Sequence, residues 1–97
     1  VIRKGDIVTL KAIIAHPMET GFRRTETGGE IPRNIIRHVS CHYDGVEVFS
    51  CVFHPSISAN PFLAFTTIAT KTGPVSFIWT GDNGFRHVET AIMNVTD

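Results

Sequence analysis

Residues 33–53 read RNIIRHVSCHYDGVEVFSCVF. Two runs rich in β-branched and aromatic residues flank Asp44-Gly45, and Asp-Gly in that setting is a strong short-range hairpin signal. The stretch predicts two adjacent antiparallel strands joined by a two-residue turn. An unbroken ladder from that turn pairs Tyr43 with Val46, Cys41 with Val48, Val39 with Ser50 and Arg37 with Val52. Side chains alternate sides along a strand. One face then carries Val39, Cys41, Tyr43, Val46, Val48 and Val52, an ordinary core. The other carries His38, Ser40, His42 and Glu47 together with Ile36, Phe49, Cys51 and Phe53. Large apolar groups on a solvent-side face mark either a binding surface or a place where a loop folds over, so Ile36, Phe49 and Phe53 are candidate partner contacts.

The same β signal extends outward on both sides. Residues 6–16 alternate, with Val8, Leu10, Ala12 and Ile14 on one side and Thr9 and Lys11 on the other, until Pro17 removes a backbone donor. Residues 62–70, 75–80 and 85–95 read as further strands, separated by Lys71-Thr72-Gly73-Pro74 and Gly81-Asp82-Asn83-Gly84. Phe62 to Phe65 look apolar on both strand faces, so the face away from the core needs a neighbouring strand, a loop or a partner. No segment has helical apolar spacing, and no internal repeat is visible. About seven short strands with turn chemistry between them predict an all-β, immunoglobulin-like antiparallel β-sandwich in one domain, with Trp79 as a bulky core anchor.

Composition narrows the function classes. The chain has 97 residues, 42% of them hydrophobic, with nine basic and nine acidic side chains. A neutral chain without a basic stripe is a poor match to nucleic acid, where phosphate neutralisation supplies much of the affinity. It also lacks a polybasic membrane-binding cluster, and no apolar run nears the ~20 residues that span a bilayer. Val1-Ile2-Arg3-Lys4 leads straight into the first apolar stretch, so no targeting segment indicates the compartment. Cys41 and Cys51 are too few for a disulfide scaffold, and the unbroken ladder puts them on opposite faces, which predicts no bond between them.

Two chemistries are open to the reactive residues. The five histidines, His16, His38, His42, His54 and His87, suggest a metal. Yet His38 and His42 on one strand stand about 13 Å apart at ~3.3 Å per residue, and no zinc-type spacing occurs. Cys41 or Cys51 as a nucleophile is the other option, without an adjacent positive cluster to activate it. No phosphate-cradling loop, nucleophile elbow or acid–base carboxylate pair is present. These residues predict no catalytic residue, no cofactor and no metal, and favour an interaction module. An independent metal- or ligand-binding sandwich is the alternative.

Three loop motifs carry more than turn chemistry: HPMETGFRR at 16–24, IPRNIIRH at 31–38 and NPFLAFTTIAT at 60–70, with YDGVEVF at 43–49 between them. In this order and spacing the chain resembles the SoxZ family across nearly its whole length. The resemblance implies an immunoglobulin-like sandwich that pairs with a SoxY-like subunit in the SoxYZ sulfur-carrier complex of thiosulfate oxidation. In that complex the SoxY-like chain holds sulfur intermediates on a cysteine in a glycine-rich C-terminal arm, and the other sulfur-oxidation enzymes meet the carrier transiently. SoxZ is implied to be non-catalytic and periplasmic, co-exported with its partner. The ending Ile92-Met93-Asn94-Val95-Thr96-Asp97 has no cysteine arm, so the chain resembles the scaffold half, either as a single SoxZ-like domain over 1–97 or as the C-terminal module of a SoxYZ-type fusion. Self-association of the isolated chain is a further expectation. On this reading the loop after His16-Pro17 is a docking surface: Met18 and Phe22 give apolar contact area, and Arg23 and Arg24 meet acidic groups or steer anionic sulfur species. A solvated charged loop is the competing reading for the arginines.

Overall fold

The computed structural model describes residues 1–19, 21, 28–29, 32–54 and 60–97. Eight strands follow in chain order: β1 (Ile2–Arg3), β2 (Ile7–Ile13), β3 (Ile36–Tyr43), β4 (Val46–Val52), β5 (Phe62–Ile68), β6 (Gly73–Gly81), β7 (Arg86–Met93) and β8 (Val95–Thr96). One sheet has the order β4-β3-β6-β7, β2 pairs with β5 in a second layer, and the short β1 and β8 pair in parallel. The long pairings are all antiparallel. The chain is an all-β sandwich, as the turn spacing indicates. The two-residue β1 and β8 are too short to show in an apolar pattern.

Aromatic packing joins the layers. Phe49 of β4 stacks on Phe65 of β5 with ring centroids 4.4 Å apart and planes 8° apart. Phe65 meets the edge of Phe77 of β6 at 6.0 Å. Trp79 is fully buried and meets Phe53 edge-on at 6.1 Å. Such ring pairs add to the burial of the rings themselves. Tyr43 ties the hairpin turn to the β5–β6 connection: its hydroxyl accepts from the Thr70 and Lys71 amides at 3.1 and 3.0 Å and donates to the Lys71 carbonyl. Beside it, Lys71 Nζ lies 2.7 Å from Asp44 Oδ2.

The Asp44-Gly45 turn forms as expected, with φ of 51° and 81°, the positive pair of a tight hairpin. It sets Tyr43 opposite Val46 and His42 opposite Glu47. Beyond them the unbroken ladder fails. The register shifts between Cys41 and His42, so that Cys41 faces Phe49, Ser40 faces Ser50 and Val39 faces Cys51. Val48 is the extra residue of a β-bulge. One extra residue reverses every side chain after it. Phe49, Cys51 and Phe53 therefore turn to the core, while Val52 stands 63% exposed; Val46, which precedes the bulge beside the turn, is 65% exposed without any reversal. A second irregularity does the same on β3. Ile36 faces Gly81 but His38 faces Thr80, leaving Arg37 as the extra residue. Ile36 is fully buried and Arg37 is exposed.

The expected partner patch of Ile36, Phe49 and Phe53 is thus corrected: Ile36 and Phe53 are buried, and Phe49 is packed between the layers. The cause is energetic. Burying a large apolar side chain is worth roughly 1.5–3 kcal/mol, so turning three of them inward outweighs the local ladder contacts that two bulges interrupt.

Candidate functional site

The segment after β2 is an anchor in its described part. His16 is buried, and its Nδ1 accepts from the Met18 amide at 3.0 Å. Its backbone amide donates to Asn60 Oδ1 at 2.9 Å, and its carbonyl accepts from the Asn60 amide at 2.7 Å. The ring meets Phe85 edge-on at 4.8 Å. Burial lowers the pKa of His16, with Asp82 partly opposing. Met18 is also buried, and its Sδ accepts from the Ile36 amide at 3.2 Å. The expectation that Met18 offers partner contact area is corrected: it plugs the seam between the ends of β2 and β3. Glu19 and Asn34 exchange backbone bonds of 2.8 and 2.7 Å at the neck of the long loop. Phe22, Arg23 and Arg24 lie outside the described residues.

The thiols and imidazoles do not converge. Cys41 is fully buried and Cys51 half-buried, both free. The bulge brings them to the same face, so the parity argument against a bond between them does not hold. Burial pushes the Cys41 thiol up to about 11, the wrong direction for a nucleophile. His38 and His42 project from the outer face of the large sheet, and His42 Nδ1 is buried without a hydrogen-bond partner among the described residues. His87 bonds Glu89 at 3.0 Å. Among the described residues no three His, Cys, Asp or Glu side chains group as metal ligands, and no helix is long and apolar enough to cross a membrane.

Two surface features bear on binding. The first is the outer face of the β2–β5 layer. Its cross-strand pairs are Ile7–Ile68, Thr9–Thr66, Lys11–Ala64 and Ile13–Phe62. Ile7, Ile13, Phe62 and Ile68 are 74%, 62%, 60% and 53% exposed. Lys11 is the one charge among the described residues of this face. The apolar reading of both sides of residues 62–65 pointed here: Leu63 and Phe65 face the core, and Phe62 and Ala64 face out. Sequence reasoning missed Ile7, Ile13 and Ile68, although the register of β2 and β5 makes them one surface.

The second feature is a basic pocket of about 560 Å³, lined by Arg33, Ile35, Arg37, His38, Val52, Phe53, His54, Thr80 and Gly81. Asp82 buttresses its rim. Its carboxylate takes two bonds from Arg33, at 2.8 and 3.0 Å, and one from the Ile35 amide at 3.2 Å. Burial raises its pKa, but the hydrogen bonds from Arg33 and Ile35 and the charges of Arg33 and Arg37 outweigh this and hold it below the ordinary range. Arg37 has no side-chain hydrogen bond or ion pair among the described residues.

Among solved structures, superoxide reductase (neelaredoxin) from Ignicoccus hospitalis and two substituted forms of it superpose with TM-scores of 0.70–0.71 at 17% identity, covering 97% of this chain and 72% of theirs. At that identity the likeness is one of fold. Curated protein sequences give no match. The family model for the sulphur oxidation protein SoxZ matches residues 2–91. The motifs, the sandwich and that match across nearly the whole length agree, and the chain belongs to the SoxZ family.

Proposed function

We propose that this chain is the non-catalytic binding subunit of a SoxYZ-type carrier, pairing with a SoxY-like chain that holds sulfur intermediates on its C-terminal cysteine during thiosulfate or sulfur oxidation. The observation that carries the pairing is the outer face of β2 and β5, with four large apolar side chains more than half exposed and, among the described residues, a single charge between them. A contiguous apolar face of this kind fits an apolar partner surface. The family match supports a role in sulfur oxidation. The buried, unactivated Cys41 and the scattered histidines favour a scaffold over an enzyme. In this reading the pair works in the periplasm and meets the other sulfur-oxidation enzymes transiently.

The test is a calorimetric titration with a purified SoxY-like chain. Phe62→Asp and Ile13→Asp place a charge on the proposed contact without touching the core. Each is expected to weaken binding by about ten- to a hundredfold, the cost of losing a central anchor, with the melting temperature unchanged. Normal binding by both variants would place the interface elsewhere. Loss of a self-associated state in place of partner binding would assign the face to a second copy.

A further inference from the structure

We propose that the pocket between Arg37, His38 and His54 is a binding site for a small tetrahedral oxoanion of the sulfate type. Three observations converge on it. The first is the bulge on β3. Its extra residue is Arg37, so the irregularity that buries Ile36 also projects a guanidinium outward beside the pocket. Bulges recur where a strand re-aims a functional side chain. The second is charge. The two guanidinium groups of Arg33 and Arg37 and the one carboxylate of Asp82 stand at the pocket, a formal excess of one positive charge. Arg33 is tied to Asp82, which leaves Arg37 as the cation without a bonded partner among the described residues. The third is donor supply. Guanidinium carries five N–H groups, of which Arg33 spends two on Asp82. Each imidazole of His38 and His54 brings at least one ring N–H, and Thr80 a hydroxyl.

This set suits an acceptor-only anion. Sulfate-like groups present several oxygens in a compact shell, and planar guanidinium recognises such oxygens in pairs. The cavity far exceeds one such ion, so the ligand would share it with water or with the rest of a larger anionic molecule. The site lies at one end of the four-stranded sheet, where β3 starts and β4 and β6 finish, whereas the proposed partner surface is on the β2–β5 layer. The inference therefore stands or falls apart from the pairing.

The experiment is an amide NMR titration of the chain with sodium sulfate, against sodium chloride at matched ionic strength. Saturable shifts at Arg37, His38, His54 and Gly81 with sulfate and not with chloride are expected. Arg37→Gln should weaken binding by about tenfold or more, the worth of a charge-assisted contact. His54→Gln, at an exposed position, should weaken it with the fold intact. Lys4→Gln, an exposed cation near the chain start, should leave it unchanged. Equal responses to chloride and sulfate, or full sulfate affinity in both Arg37→Gln and His54→Gln, would overturn the proposal.

Discussion

Phe49 and Val48 are neighbours whose roles the Val48 bulge exchanges, and truncating each one tests that bulge. Phe49 stacks on Phe65 at 4.4 Å and packs between the layers, whereas Val48 is 37% exposed. Truncating a core Phe to Ala costs about 3–5 kcal/mol through lost transfer energy and the cavity left behind. Phe49 keeps some exposure, so the low end, about 3 kcal/mol, applies. In a domain of this size each kcal/mol moves the melting temperature by roughly 4–8 °C. Phe49→Ala should then melt roughly 12–24 °C lower. Val48→Ala removes a half-exposed methyl pair and should cost about 0.5 kcal/mol or less, a few degrees at most. Thermal melts followed by near- and far-UV circular dichroism measure both. An unbroken ladder gives the opposite order, with Val48→Ala the severe variant. That order, or a Phe49→Ala protein that melts normally but fails to bind a partner, would refute the bulged register.

Further outcomes follow from the anchors around the core. A Cβ at position 81 would collide with the backbone carbonyl oxygen of Ile35, so Gly81→Ala should destabilise by about 1–3 kcal/mol or more, read as a shifted denaturant midpoint. Asp82 has a depressed carboxyl pKa; its contribution is complete above about pH 4 and is lost as pH falls through the folded-state value. The stability gap between wild type and Asp82→Asn should accordingly close in acid, and a constant gap would contradict the ion pair. His16 has a lowered pKa, and its Nδ1 must stay an acceptor for the Met18 amide. Its contribution is full above about pH 6.5 and declines as pH drops toward the depressed value. NMR should find its ring titrating below about 6.5, and a higher midpoint would sink this reading. Alkylation of the native protein near about pH 8 should modify half-buried Cys51 first, with Cys41 reacting only after denaturation; equal labelling rates in the native state would count against a buried Cys41.

The sequence by itself determined the class of fold. Asp44-Gly45 sets the hairpin because few residue pairs accept two positive φ angles. The alternation from Val8 to Ile14 sets the inward face of β2, because a strand exposes every second side chain to one environment. The loop motifs carried the SoxZ resemblance, which the match over residues 2–91 bears out. The orientation of Phe49, Phe53 and Ile36 was settled only in three dimensions. A bulge adds one residue without any required residue type, so parity counted from the turn fails silently at Val48 and again at Arg37. Met18 appeared as a loop residue and proved to be core, because the amide of Ile36, eighteen residues further along the chain, bonds its sulfur while neighbouring His16 holds its backbone. The apolar outer face of β2 and β5 and the basic pocket at Arg37 likewise exist only through register: their residues stand far apart in sequence, and pairing alone makes each set a surface.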